Sequence, residues 1–535
     1  MKIWPHCVFL LICVGFVSSP QMLLIGQEVA VRSSTDASTD SKLSALVAEL
    51  DQYVAKAQQE WQVPGLAIAV VKDDQVLLSK GYGVPRVGTT DAVDQNTLFA
   101  IASNSKAFTA AGLAILVDEG KLQWDDQVTK HLPWFRLKDD FATREIRVRD
   151  LLCHRSGLGT FSGDLLWWGT EYSAKEILER AAFLESASSF RSSYGYSNLM
   201  FLAAGEVIVA VSGQSWADFI KERILQPLEM NRTVCSVRDL VAHDNFATPH
   251  KTLLDSSVPI AWMNWDAMAA AGGIISSSDD MANWMRLQLR VGEMKDKKRI
   301  FSESASHQMW QAHTPIPVSR VPSARFPSIH FRAYGLGWSL SDYQGRKVVG
   351  HGGGYDGMNS HVLMVPEEKI GVVVLTNSLT PIASMLAYRA VDTLLGTVGK
   401  DFSPEGFSEF KKSLEEFQAR ITLVTTPVVE GTKPSHPLAD YVGKYRCPMY
   451  GDATVITEGD KLVLSFIPFK TLVAELTHLH YDTFSIKWRK SDIAWFDGGT
   501  VHFVADSRGK VQRIELDVPN DDLWFHELML QRRAD

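Results

Sequence analysis

An α/β fold is expected over residues 42–400: one antiparallel sheet flanked by helices, with a helical subdomain, followed at 438–535 by a small all-β barrel. Three observations predict it. Gly65–Val71, Asp73-Asp74 and Val76–Leu78 read as strand, turn and strand. His361–Val365, Pro366–Lys369 and Ile370–Leu375 repeat that pattern near the other end of the region, around helix-rich sequence. Beyond Leu438 come short, evenly spaced alternating segments, as a barrel needs.

In chain order, Met1-Lys2 precedes an uninterrupted apolar run from Cys7 to Val17 and then Ser18-Ser19-Pro20. This reads as a secretory signal peptide within residues 1–26 and implies a secreted or periplasmic protein. An uncleaved membrane anchor over about Cys7 to Gly26 is the alternative by length. Residues 27–41 read as a polar linker, and Leu43 to Trp61 has helical periodicity. Phe407 to Ile421 is a charged amphipathic helix, and a Pro/Thr/Val linker follows within 401–437. The barrel segments are Thr454–Ile456, Lys461–Phe466, Thr483–Trp488, Thr500–Val504 and Val511–Leu516. A net charge of -8 and the absence of a basic patch argue against a nucleic-acid partner. Outside the leader the cysteines are Cys153, Cys235 and Cys447, an odd set that requires no disulfide.

Three short motifs carry the chemistry: Ser103-Asn104-Ser105-Lys106, Tyr196-Ser197-Asn198 and His351-Gly352-Gly353. On a helix, Ser103 and Lys106 lie about one turn apart, so the amine can reach the hydroxyl. A serine hydroxyl needs a neighbour to take its proton, and Lys106 and the Tyr196 phenol are the candidates. Ser-x-x-Lys recurs at Ser408–Lys411 and Ser507–Lys510, but in a charged stretch and a turn. Ser103 instead follows apolar Leu98–Ala102 and opens a helical run carrying Phe108, Leu113, Leu116 and Val117. A helix N-terminus there favours developing negative charge. The glycines after His351 border a strand and let a substrate approach the backbone. A serine hydrolase taking a small-molecule or peptide substrate is the reading.

These motifs resemble those of the penicillin-recognising serine hydrolases, the superfamily of class C β-lactamases, D-alanyl-D-alanine carboxypeptidases, esterases and D-aminopeptidases. Leu151–Leu158, Ala271–Ser276, Asp279–Ala282 and Tyr334–Trp338 fit as well. The resemblance implies a β-lactamase/transpeptidase-like fold and an acyl-enzyme on Ser103, with Lys106 and Tyr196 as catalytic partners and no cofactor or metal. It implies that Asn198 positions Lys106 and donates to the substrate. An oxyanion hole would come from the Ser103 N–H and the Gly354 N–H, with the register among Gly353 and Gly354 open by one residue. Cys153 and His154 fall in a structural turn of the family. The third motif departs from the Lys-Thr-Gly of β-lactam specialists, keeping a titratable imidazole and no hydroxyl. Ester or peptide hydrolysis of esterase, D-aminopeptidase or carboxypeptidase type is therefore expected. The alternatives are a β-lactamase or penicillin-binding protein, or a catalytically idle binding protein.

The C-terminal segment, with Tyr441–Tyr445 at its opening, resembles the lipocalin-like domain appended to some of these hydrolases. His478 and His480 share a face if their segment is a strand. A metal site there would need a third ligand, for which His502 is available.

Overall fold

The structure, a computed structural model, describes residues 34–318, 328–399, 401–426, 428–490 and 496–533. Residues 1–26, read above as a signal peptide or anchor, and residues 27–33 lie outside the described residues. Helix α1 spans Ser34–Glu60, so it starts inside the stretch read as a linker. Ser, Thr and Asp are weak helix formers, but no Pro or Gly interrupts residues 34–41.

Strands β1 (Gly65–Lys72) and β2 (Gln75–Gly83) form the first hairpin. They join β3 (Thr314–Pro315), β4 (Arg332–Tyr334), β5 (Ser339–Tyr343), β6 (Arg346–Tyr355), β7 (Met358–Val365) and β8 (Ile370–Thr376). The sheet order is β2-β1-β8-β7-β6-β5-β4-β3, every pairing antiparallel. The two hairpins read from sequence therefore meet, with Leu66 opposite Thr376 and Lys72 opposite Ile370. β8 is buried along its whole length and β1 along all but its last residue. That is why both read as continuous apolar runs rather than alternating ones.

Helix α2 (Ser105–Asp118) runs through the core, and twelve of its residues are buried. Helix α3 (Asn198–Ser212) packs against it. Helix α4 (Ser278–Leu289) covers β1 and β8, and α5 (Ile382–Leu395) covers β7 and β8. On the α5 side, α1 contributes Leu50, Val54 and Trp61 to a second apolar cluster. Among the described residues no single helix is long and apolar enough to cross a membrane.

Helix α6 (Ser403–Thr425) leads to a closed barrel of eight strands: β9 (Gly443–Cys447), β10 (Gly451–Glu458), β11 (Lys461–Phe466), β12 (Val473–His480), β13 (Thr483–Trp488), β14 (Gly498–Ala505), β15 (Val511–Asp517) and β16 (Leu530–Arg532). Closure removes the exposed edges an open sheet would carry. The five segments read from sequence are strands here, and β9, β12 and β16 complete the ring. The register of β12 on β13 shifts between His478 and His480, which breaks strict alternation. His478 then faces the Tyr481 carbonyl, while His480 accepts from the Val428 N–H and His502 pairs with Thr483.

The barrel is not a loose appendage. Residues 46–535 form one compact unit. Tyr172 donates to the Tyr450 carbonyl at 2.7 Å, and Arg180 to that of Met449 at 3.1 Å. Glu527 accepts from the Ser162 hydroxyl at 2.5 Å and the Gly163 N–H at 2.9 Å. Phe469 and Phe496 pack edge-on against Trp168 with centroids 5.1 and 5.4 Å away.

Candidate active site

Ser103 lies in a single 3-10 turn, Ala102–Asn104, that runs straight into α2. The α-helix thus begins two residues after the nucleophile candidate rather than at it. Ala102 has φ +47°, in the left-handed region, a conformation costing a non-glycine residue about 1–2 kcal/mol. The strain is held by close packing of β6 on this turn. A Cβ at Gly353 would sit 2.3 Å from the Ile101 carbonyl oxygen and 2.4 Å from Ser360 Oγ. Only a residue without a side chain lets the strand approach so near. Ser360 donates to that same carbonyl at 2.7 Å and receives the Asn104 amide at 2.9 Å.

One turn along, Lys106 is fully buried. Its Nζ lies 2.9 Å from Ser103 Oγ, 2.7 Å from Asn198 Oδ1 and 2.9 Å from the Ala271 carbonyl. The Tyr196 phenol donates to the same Ser103 Oγ at 2.8 Å. Asn198 opens α3, and its Nδ2 donates to Asp164 Oδ2 at 2.7 Å. Ser103, Lys106, Tyr196 and Asn198 thus meet, although the chain separates them widely.

Burial drives the electrostatics. It pulls the Lys106 amine down to about 7, against the opposing pull of the Asp164 charge. Burial pushes Asp164 up to about 7, opposed by the Trp167 indole, Asn198 and Lys106. The Tyr196 phenol is pushed well above its ordinary 10 by burial, with Ser103 opposing. At neutral pH Tyr196 is a phenol and the amine is readily freed of its proton. Cys153 is buried and its thiol is pushed up to about 12, so it is unreactive at neutral pH. Its neighbour His154 accepts the Ser197 N–H at 3.0 Å and packs 4.2 Å from the Tyr196 ring, which fixes the second motif.

His351 sits on β6 with Nε2 2.7 Å from the Tyr334 hydroxyl and Nδ1 2.5 Å from the Gly352 carbonyl. Burial, then the Lys106 charge, lower it to about 3, so the ring is neutral at physiological pH. Burial keeps Tyr334 a phenol, which donates to Nε2, and Nδ1–H donates to the carbonyl. Both ring nitrogens are occupied by the protein, and the ring serves as pocket wall. β5 pairs with β6 only as far as Gly350, while β7 pairs with it through Tyr355. Among the described residues, no strand takes the other edge of His351–Tyr355.

A cavity of about 250 Å³ opens above Ser103. Tyr196, Asn198, His351, Gly352 and Gly354 line it with Ser103, whereas Gly353 turns inward toward Ile101. Its remaining wall is aromatic, from Phe161, Trp167, Trp168 and Trp265, and includes Asp164, Asp522 and Leu523.

Residues 50–395 match the family model described as Beta-lactamase. The chain belongs to that family. Residues 428–532 match a Domain of unknown function (DUF3471). The unguisins hydrolase ungD' of Aspergillus campestris is 29% identical over 80% of this chain and 80% of its own length. Protein flp of Staphylococcus aureus is 26% identical over 62% of each. The octameric penicillin-binding protein homologue of Pyrococcus abyssi superposes with TM-score 0.58 at 22% identity, covering 91% of this chain and 100% of that one. The barrel-bearing architecture is thus a β-lactamase-like serine hydrolase fold with a closed C-terminal barrel.

Four contributors escaped the sequence reading. Asp164 opens a short 3-10 helix, Asp164–Leu166, with no pattern around it, Ala271 contributes only its carbonyl, and Tyr334 was visible only as part of a motif-like stretch. Asp522 lies more than four hundred residues from Ser103, and no local pattern connects them.

Proposed function

We propose that this chain is a serine hydrolase that cleaves an ester or an amide through an acyl-enzyme on Ser103. The convergence of Lys106 Nζ and Tyr196 OH on one serine oxygen carries the reading. Neutral Lys106 takes the hydroxyl proton as Ser103 attacks the carbonyl carbon. Tyr196 stays a phenol beside the oxygen, passes a proton to the leaving group and recovers it from Lys106. Water then cleaves the acyl-enzyme by the reverse path. Asn198 holds Lys106 through Oδ1 and keeps a second N–H for the substrate. The Ser103 and Gly354 backbone N–H groups stabilise the oxyanion, each such donor contributing on the order of 3 kcal/mol.

Esters and peptides suit the site better than β-lactams. A penicillin carboxylate calls for a cation at the third motif, and His351 is neutral with both nitrogens engaged. The name of the unguisins hydrolase relative supports a hydrolase. A fluorophosphonate probe should label the native chain and spare Ser103→Ala. Turnover of a chromogenic cephalosporin at β-lactamase efficiency would reverse the substrate preference.

A further inference from the structure

The turn between β6 and β7 carries a buried acid that the proton path does not use. Asp356 lies two residues beyond Gly354, between the paired residues Tyr355 and Met358, and is 3% exposed. Its Oδ1 accepts the Trp168 indole N–H at 3.0 Å, and its Oδ2 accepts that of Trp265 at 2.9 Å. The turn is itself fixed. Gly357 has φ +75°, and a Cβ there would lie 2.7 Å from the His250 nitrogen. The Gly357 carbonyl accepts that same His250 N–H at 3.0 Å.

Both indoles line the cavity above Ser103. They come from distant loops, one just beyond the 3-10 helix Asp164–Leu166 and one just before the 3-10 helix Asp266–Met268. Trp265 packs on Tyr355 with centroids 4.6 Å apart and meets Trp167 edge-on at 4.9 Å. A carboxyl group suits two indoles, because each of its oxygens accepts. An Asn amide offers one acceptor and one donor, and an indole N–H can only donate. Asp356 also continues the strand that presents Gly354 to the cavity, so the wall is held in register with the oxyanion site. Small displacements at that distance from the reacting carbon are costly in rate.

We propose that Asp356 is a positioning residue for the hydrolysis: it pins Trp168 and Trp265 so that their rings, with Phe161 and Trp167, seat an aromatic group of the substrate beside the scissile carbonyl. The inference rests on the serine-hydrolase reading and names its substrate class, esters or amides with a ring on the acyl side. Aromatic pairs favour edge-on and offset contacts at centroid separations of about 4.5–7 Å, so the gain depends on how the indoles are turned. A wall free to rotate would stay apolar but would lose that geometry.

The test uses the full-length chain with p-nitrophenyl phenylacetate and p-nitrophenyl acetate, which differ only in the acyl ring. Wild type should favour the phenylacetate by at least ~10-fold in kcat/KM. Asp356→Asn should cut that ratio by ~5-fold or more through a higher KM for the phenylacetate, with kcat held within ~2-fold. Fluorophosphonate labelling of Ser103 within ~2-fold of wild type reports a folded site in each variant. Trp265→Phe removes one N–H from the clamp and keeps a ring, so it should lower the ratio too. Adding D356N to W265F should then cost less than D356N does alone. If D356N does not take the probe, W265F carries the test by itself, and a wild-type ratio in it would overturn the proposal. So would equal turnover of the two esters by wild type, an unchanged ratio in D356N, or an equal loss on both esters. If Ser103 resists the probe in wild type, the hydrolase reading itself falls.

Discussion

The two halves of the pocket are built on opposite plans. On the hydrolase side every reacting group is tied: Lys106 has three partners, Asn198 bridges Lys106 and Asp164, and His351 has both nitrogens engaged. On the barrel side Asp522 lines the cavity, its N–H held by Asn520 Oδ1, and among the described residues no lysine or arginine pairs with its carboxylate. Fixed groups suit a proton path, where small displacements are costly in rate. The contrast sets a tightly bonded cluster around Ser103 against a loop from the barrel that closes one wall.

Removing the hydrolase-side groups should therefore have the largest consequences. Ser103→Ala and Lys106→Met are each expected to lower kcat/KM by ~10³-fold or more, measured on a p-nitrophenyl ester. Tyr196→Phe keeps the ring packing on His154 but removes the proton carrier, with an expected loss of ~10²–10⁴-fold. A Phe variant with wild-type turnover would move proton transfer away from Tyr196.

The pH profile separates the two plans further. Lys106 sits at about 7 and acts when neutral, so kcat/KM should rise as pH increases through about 7 and level off above it. The Asp164 charge favours the ammonium, so Asp164→Asn lowers the amine further and should move that limb to lower pH. A limb that stays in place would remove Asp164 from the control of Lys106. The smallest effect belongs to the domain junction. Glu527→Ala deletes two hydrogen bonds to the Ser162–Gly163 turn and should lower stability by about 1–3 kcal/mol, read by thermal melting. If the barrel is mere mass, that variant will melt earlier yet keep its substrate preference.

Legibility in the sequence followed the range of the interaction. Ser103 and Lys106 are one turn apart, and Tyr196 and Asn198 two residues apart, so each pair left a local pattern. Strands β1 and β8 were legible because a fully buried strand must be apolar throughout, and the polar turns beside them marked their hairpins. The helix start at Ser34 was misplaced because weak helix formers leave no boundary signal. Asp164 and Asp522 carry no local pattern in the sequence, and only packing makes one a buried carboxyl beside Asn198 and brings the other to the cavity wall.

The chain's order of side chains, by itself, determined which groups could do chemistry and which segments must be strands or helices, because nucleophile, base and apolar periodicity are local properties. Only the tertiary structure decided that the amine loses its proton easily, that the imidazole is spent on internal hydrogen bonds, and that a barrel loop lines the catalytic cavity. Those outcomes depend on desolvation and on through-space charge, and both arise only when distant segments are brought together.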